Sequence, residues 1–154
     1  MDVNYRTALP ADAAACVDLR GKTRENAVSA ARLAEIGITA ESWGQDIRDG
    51  TLPGFVGLAG DQMIGYCFGD KNTGEIVVLA LLPEFENLGI GKRLFSLAVE
   101  HLVSLGHRRL FLGCSSNPQH RSHGFYRHLG WRSTGHLDAH RDEILEYFPL
   151  GSAR

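Results

Sequence analysis

The chain has 154 residues, 44% hydrophobic and 22% charged, which suits one globular domain with one core and excludes a disordered chain. Its formal net charge of −2 argues against a nucleic-acid partner, which needs a basic face. The longest apolar run, Ile76 to Leu82, is too short to cross a bilayer and suits a buried strand.

The N-terminus, Met1-Asp2-Val3-Asn4, lacks the basic patch and apolar stretch of a signal peptide. Tyr5 to Leu9 reads as a first strand. Pro10 and Asp12 open a helix to about Arg20, with Asp12 as its cap. Gly21 to Gly50 is helical but broken by Gly37 and Gly44, giving two short helices, the second from near Thr39. Phe55 to Ala59 and Met63 to Gly69 are strands joined at Gly60-Asp61, a hairpin signal. Asn72-Thr73-Gly74 is a second turn. Glu75 to Leu82 follows as a strand apolar on both faces, so a central position is expected.

Gly89 to Leu105 is the clearest helix, with Leu94, Leu97, Ala98, Leu102 and Leu105 at helical spacing and Gly106 as the stop. Arg109 to Leu112 is a strand, Ser122 to Leu129 a helix closed by Gly130, and Trp131 to Thr134 and Glu143 to Phe148 the closing strands. The pattern is a mixed α/β layout with helices covering a sheet. Residues 1–150 read as a single domain and 151–154 as a disordered tail.

The most informative segment is GEIVVLALLPEFENLGIGKR, from Gly74. A buried strand leads through a loop into Gly89-Ile90-Gly91-Lys92 and a long helix. The first turn of a helix has unsatisfied N–H groups and a partial positive charge, so it attracts phosphate. Glycines there admit close backbone approach, and Lys92 adds a full charge. A dinucleotide fingerprint would need a third glycine where Leu94 stands and an acid about 20 residues on, where Arg109 to Leu112 carry none. GxxxxGK[ST] is also absent. By themselves, the glycines are equally compatible with a plain helix start.

Glu86-Asn87-Leu88-Gly89-Ile90-Gly91, preceded by Leu81-Leu82-Pro83, resembles the acetyl-CoA motif of the GNAT superfamily, [Q/R]-x-x-G-x-[G/A]. Downstream, Phe125-Tyr126-Arg127-His128-Leu129-Gly130-Trp131 resembles that family's F-Y-x-x-x-G-[F/W] block. The resemblance runs from Phe55 to Phe148. It implies a mixed, mostly antiparallel central sheet of six to seven strands with about four helices. It also implies an N-acetyltransferase that moves an acetyl group from acetyl-CoA to a primary amine of a small molecule, by direct attack on the thioester. A peptide or protein N-acetyltransferase and a degenerate acyl-CoA-binding sensor are the alternatives. A homodimer is compatible with the resemblance; nucleic-acid, membrane and metal partners are not expected.

The resemblance implies cofactor contacts from Leu79 and Leu81 of the strand, from Asn87, Leu88, Gly89, Ile90, Gly91 and Lys92 of the loop and helix start, and from Tyr126. A strand N–H near Leu81 would polarise the carbonyl. Tyr126 would protonate the departing thiolate; read without the family it is better taken as a core tyrosine beside Phe125. Glu75, fourteen positions before Gly89, matches the glutamate base of the histone-acetyltransferase branch, and reads also as a solvated strand end. The family places an Asn seven residues before the tyrosine. Here Asn117 is nine before and Gln119 holds the seventh place.

Two positions depart from the motif: Glu86 replaces Gln or Arg, and Asn87 replaces glycine. A carboxylate about 7 Å from pyrophosphate would cost about 0.6–2.4 kcal/mol per charge pair. Glu86 is therefore expected to face solvent or to be offset by Lys92 and Arg93, and Glu86→Gln to tighten binding. Three widely spaced cysteines, Cys16, Cys67 and Cys114, form no CxxC pair and suggest reduced thiols in a cytoplasmic protein. Cys114 reads as a structural thiol. His120-x-x-His123 and His136-x-Asp138-x-His140 read as solvated histidines rather than metal ligands. The polar stretch Arg20 to Arg32, with Lys22, Arg24, Glu25 and Asn26, borders the acceptor pocket in the family and reads also as a solvated face.

Overall fold

Residues 2–25 and 27–149 are described by a computed structural model; Asn26 and the 151–154 tail lie outside it. Strand β1 (Asn4–Thr7) leads through a 3-10 turn at Pro10–Asp12 into helix α1 (Ala13–Arg20). Asp12 does not cap α1 with its side chain. Its carboxylate turns back to accept the Leu9 N–H at 2.7 Å and pairs with Arg6 at 2.7 Å, so it fixes the strand-to-helix corner instead.

Helices α2 (Ala30–Glu35) and α3 (Ala40–Asp49) follow. Thr39 caps α3 by accepting the Ser42 N–H at 3.0 Å. Gly44 does not break the pattern: it lies inside α3. A Cβ there would sit 3.2 Å from the Pro10 carbonyl oxygen, so glycine lets α3 pack against the entry to α1.

Strands β2 (Gly54–Ala59), β3 (Gln62–Gly69) and β4 (Ile76–Leu81) form antiparallel hairpins. Helix α4 (Ile90–Ser104), strand β5 (Leu110–Cys114), helix α5 (Arg121–His128) and strands β6 (Arg132–Leu137) and β7 (Glu143–Tyr147) complete the chain. The described residues thus hold seven strands and five α-helices, the mixed and mostly antiparallel arrangement expected, with one more helix.

The strands form two sheets, ordered β1-β2-β3-β4 and β5-β7-β6. They meet at one parallel bridge, Glu75 to Phe111, with the Phe111 N–H donating to the Gly74 carbonyl at 3.3 Å. This corrects the central placement of β4. It stands between the two sheets but is ladder-paired only to β3, and beyond Glu75 its other edge is free. The strand buries Ile76 and Ala80 in the core, while Val77 stays 46% exposed. Hydrophobicity reports burial of faces; it says nothing about which edge is hydrogen-bonded.

Two packing layers hold β4 in place. On one face, Trp43 of α3 meets Tyr66 and Phe68 of β3 edge-on, at 5.5 and 5.4 Å between ring centroids. The Tyr66 hydroxyl donates to the Cys16 carbonyl at 3.2 Å. On the other, Leu94, Ala98 and Leu102 of α4 are buried in the core cluster. Among the described residues no helix is long and apolar enough to cross a membrane.

Candidate active site

Beyond the Glu75–Phe111 bridge, the separating edges of β4 and β5 enclose a cleft of about 740 Å³. The loop after α1, the start of α4 and the start of α5 complete its walls. Past the end of β4, Pro83 opens a 3-10 turn, Pro83–Phe85, which carries the chain into the loop before α4.

That loop is shaped by two left-handed residues. Gly89 has φ 81 and Asn87 has φ 64. Asn is among the few non-glycine residues that adopt this conformation readily, so Asn87 meets the demand that glycine meets elsewhere in the motif. The first helical bond of α4 runs from the Arg93 N–H to the Gly89 carbonyl, at 3.1 Å. The N–H groups of Ile90, Gly91 and Lys92 precede it and make no bond to a described residue. A Cβ on Gly91 would meet only the Leu81 side chain, at 3.9 Å, so this turn lies open toward the cleft.

Of the residues expected to bind cofactor, Leu79, Leu81, Asn87, Gly89, Gly91, Lys92 and Tyr126 line the cleft. Leu88 and Ile90 do not: Leu88 is exposed, and Ile90 is buried in the core. Asn117 also stands outside the lining, as an exposed residue whose carboxamide oxygen accepts the Gln119 N–H at 2.9 Å. The Asn117 carboxamide therefore shapes the turn before α5. Thr23 and Ser122 are among the lining residues, and their hydroxyl oxygens are buried without a hydrogen-bond partner among the described residues.

Glu86 neither faces solvent nor leans on Lys92 and Arg93. Its side chain is 13% exposed and carries two ion pairs, Arg24 Nε on Oε1 and Arg121 Nη1 on Oε2, each at 2.8 Å. A sequence-local argument could not find these partners, which are 62 and 35 residues away.

Tyr126 sits on α5, its ring packed against Phe95 and Phe125 at 5.2 and 5.1 Å between centroids. Its hydroxyl makes no hydrogen bond to a described residue. Burial, then the nearby Cys67 and Cys114, push its pKa above the ordinary phenol value. Glu75 lies at the bridge between the sheets and outside the cleft lining. Burial raises its pKa, helped by Asp70 and Asp138. A carboxylate that the sequence reading passed over, Asp142, does line the cleft, and burial and Asp138 raise its pKa as well.

The sequence matches the profile of the acetyltransferase (GNAT) family over residues 18–131. The chain belongs to the GNAT acetyltransferase family.

Solved structures share the GNAT fold. The PaiA N-acetyltransferase of Thermoplasma acidophilum, in complex with coenzyme A, has TM-score 0.80 and 15% identity, covering 97% of this chain and 100% of that one. YncA of Salmonella typhimurium, solved with its cofactor acetyl-CoA, has TM-score 0.74 and 15% identity, covering 100% and 98%. The ribosomal-protein-S18-alanine N-acetyltransferase of Escherichia coli has TM-score 0.69 and 14% identity, covering 99% and 97%. No curated protein matches the sequence.

In this GNAT chain the remaining nucleophiles and metal candidates take structural places. Burial pushes the Cys114 thiol up to about 11 and Cys16 to about 12, and raises Cys67 further, so all three are protonated at neutral pH. The Asp138 carboxylate accepts the N–H groups of His140 and Asp142, at 2.8 and 3.0 Å, and so shapes the β6–β7 loop. Among the described residues no three His, Cys, Asp or Glu side chains cluster to hold a metal ion.

Proposed function

We propose that this GNAT domain, taken as residues 1–150, is an acetyl-CoA-dependent N-acetyltransferase acting on a primary amine of a small molecule. One observation carries the reading: the free edge of β4, the α4 start at Gly91 and Lys92 with its unpaired N–H groups, and Tyr126 converge on one cleft. The donor set fits the ligand. Three free amides at a helix start suit a pyrophosphate, and the exposed peptide edge of β4 suits the amide-bearing pantetheine arm. CoA-bound neighbours of the same fold support it further.

When bound, acetyl-CoA supplies an activated thioester. The chain's part is to align and to move protons. Lys92 and the α4 amides hold the phosphate end. A peptide N–H on the free edge of β4 polarises the acyl carbonyl. Tyr126, kept protonated by its surroundings, delivers a proton to the departing sulfur. The amine's proton leaves toward one of two carboxylates with raised pKa values, Asp142 in the cleft wall or Glu75 at the bridge outside it.

Those raised values have a kinetic signature. A base must be ionised to accept a proton, so activity falls as pH drops through its pKa, and a raised pKa moves that acid limb above the ordinary carboxylate range. Glu75→Gln and Asp142→Asn are each compared by kcat/KM from pH 5 to 8. The variant whose acid limb disappears identifies the proton acceptor, and retention of the limb in both removes both residues from the role.

Gly91 tests the cofactor reading. Acetyl-CoA at 100 times its Kd is expected to stabilise the native state by about 2.7 kcal/mol, a rise in Tm of about 5–10 °C. Gly91→Phe is expected to abolish that rise and leave the ligand-free Tm unchanged or higher, since the position opens onto the cleft and glycine is a poor helix former. An undiminished shift in Gly91→Phe would place the ligand elsewhere. The acceptor is sought by CoA release over a panel of polyamines, amino acids, aminoglycosides and peptides. The fold shared with the S18-alanine enzyme makes a protein N-terminus the alternative acceptor.

A further inference from the structure

Glu86 poses a problem at the head of the phosphate loop, three residues before Gly89. An acid so placed repels phosphate, and a carboxylate 13% exposed is costly without partners. The structure solves both with the same contacts. Arg24 donates from Nε to one carboxylate oxygen, and Arg121 Nη1 is ion-paired with the other, each at 2.8 Å. Arg121 Nη2 also donates to the Asn87 carboxamide oxygen at 3.0 Å, and the Arg121 backbone N–H donates to Glu25 at 3.0 Å. One carboxylate thus joins three separate segments of the cleft wall: the loop after α1, the loop before α4 and the start of α5.

The arginines are not used up by these bonds. A guanidinium has five N–H donors. Arg24 spends one on Glu86, and Arg121 spends one on Asn87 while its Nη1 is ion-paired with Glu86. Both side chains stay about half exposed, at 55% and 46%, and both line the cleft. With Lys92 the group holds three positive charges against Glu86 and Glu25, a net of +1 beside the free amides of α4. A guanidinium already fixed on one side loses less freedom when it takes an anion on the other.

We propose that Glu86 is a positioning residue that holds Arg24 and Arg121 as a two-arginine clamp for the phosphates of the CoA cosubstrate. The clamp supplies the cationic donors that the usual Gln or Arg at the motif head does not supply here. The proposal rests on the cosubstrate reading above. Phosphate is favoured over an anionic acceptor because the clamp is anchored on Glu86 and Asn87, in the same loop that presents the free α4 amides.

The test is calorimetry with CoA, dephospho-CoA and pantetheine on the native chain and on Arg24→Ala, Arg121→Ala and Glu86→Gln, with thermal melts as the folding control. Each arginine variant should weaken CoA about tenfold or more and leave pantetheine within about twofold. Their dependence of affinity on salt should be shallower than that of the native chain. Arg24→Lys and Arg121→Lys, which keep the charge and lose the fork, should restore part of the loss. Glu86→Gln should weaken CoA although it removes a negative charge, and combined with Arg24→Ala should cost less than the two changes summed. Loss with CoA but not with dephospho-CoA assigns the clamp to the 3′-phosphate; loss with both assigns it to the pyrophosphate. Tighter CoA binding in Glu86→Gln, equal losses with pantetheine, or an arginine effect confined to the acceptor KM would overturn the clamp. A native chain that binds no CoA would instead remove the cosubstrate reading.

Discussion

Tyr126→Phe is expected to lower kcat by about 10² to 10⁴ and to leave CoA affinity and Tm nearly unchanged. The substitution removes one oxygen that bonds no described residue, and keeps the ring that packs on Phe95 and Phe125. Packing therefore survives. The proton matters only as the C–S bond breaks, so the loss falls on kcat rather than on binding. Burial raises this phenol's pKa, so it holds its proton across the neutral range and sets no basic limb below about pH 10. A tyrosine kept for packing would give the opposite pattern, with small kinetic change and lower stability. The measurement is CoA release beside a thermal melt; full activity in the variant would leave water as the proton source.

Leu94→Ala is expected to destabilise the fold by about 2–5 kcal/mol, among the larger losses a core truncation produces. Leu94 is fully buried on α4. Its Cδ1 lies 2.9 and 3.8 Å from where side chains on Gly65 and Gly57 would begin, so it fills space that two glycines of β2 and β3 leave open. A helix packed this closely cannot collapse into the gap left by a missing isobutyl group. Urea denaturation measures the loss. The same variant should weaken CoA binding, because α4 carries the free amides of Ile90 to Lys92 on its first turn. A loss below 1 kcal/mol would mean that the site repacks.

Leu94 also shows how much the residue pattern alone could decide. As the residue where a third glycine would stand, it spoke against a dinucleotide site; of the five leucine and alanine positions at helical spacing, Leu94, Ala98 and Leu102 are buried on α4, while Leu105 lies exposed past its end. The hairpin at Gly60-Asp61, the helix start near Thr39 and the helix stops at Gly106 and Gly130 were equally legible, because each rests on chemistry within a few residues. Gly44 misled for the same reason. Glycine weakens a helix locally, but here its missing Cβ admits the Pro10 carbonyl, a contact set by the packing of α3 on the start of α1.

The sequence by itself determined the elements, the mixed α/β class, and the two motif blocks whose spacing resembles a GNAT acetyltransferase, since periodicity, turn chemistry and motif spacing are properties of neighbours along a chain. Tertiary structure alone decided that β4 is an edge strand beside a cleft, because strand pairing joins residues far apart in sequence. It also decided the fate of Glu86. Its charge was evident from the residue itself; its partners were not, because Arg24 and Arg121 reach it only after α1, β4 and α5 have packed around the same cleft. Charge is carried by a residue, but the sign of its effect on a ligand is set by whatever the fold brings within about 3 Å of it.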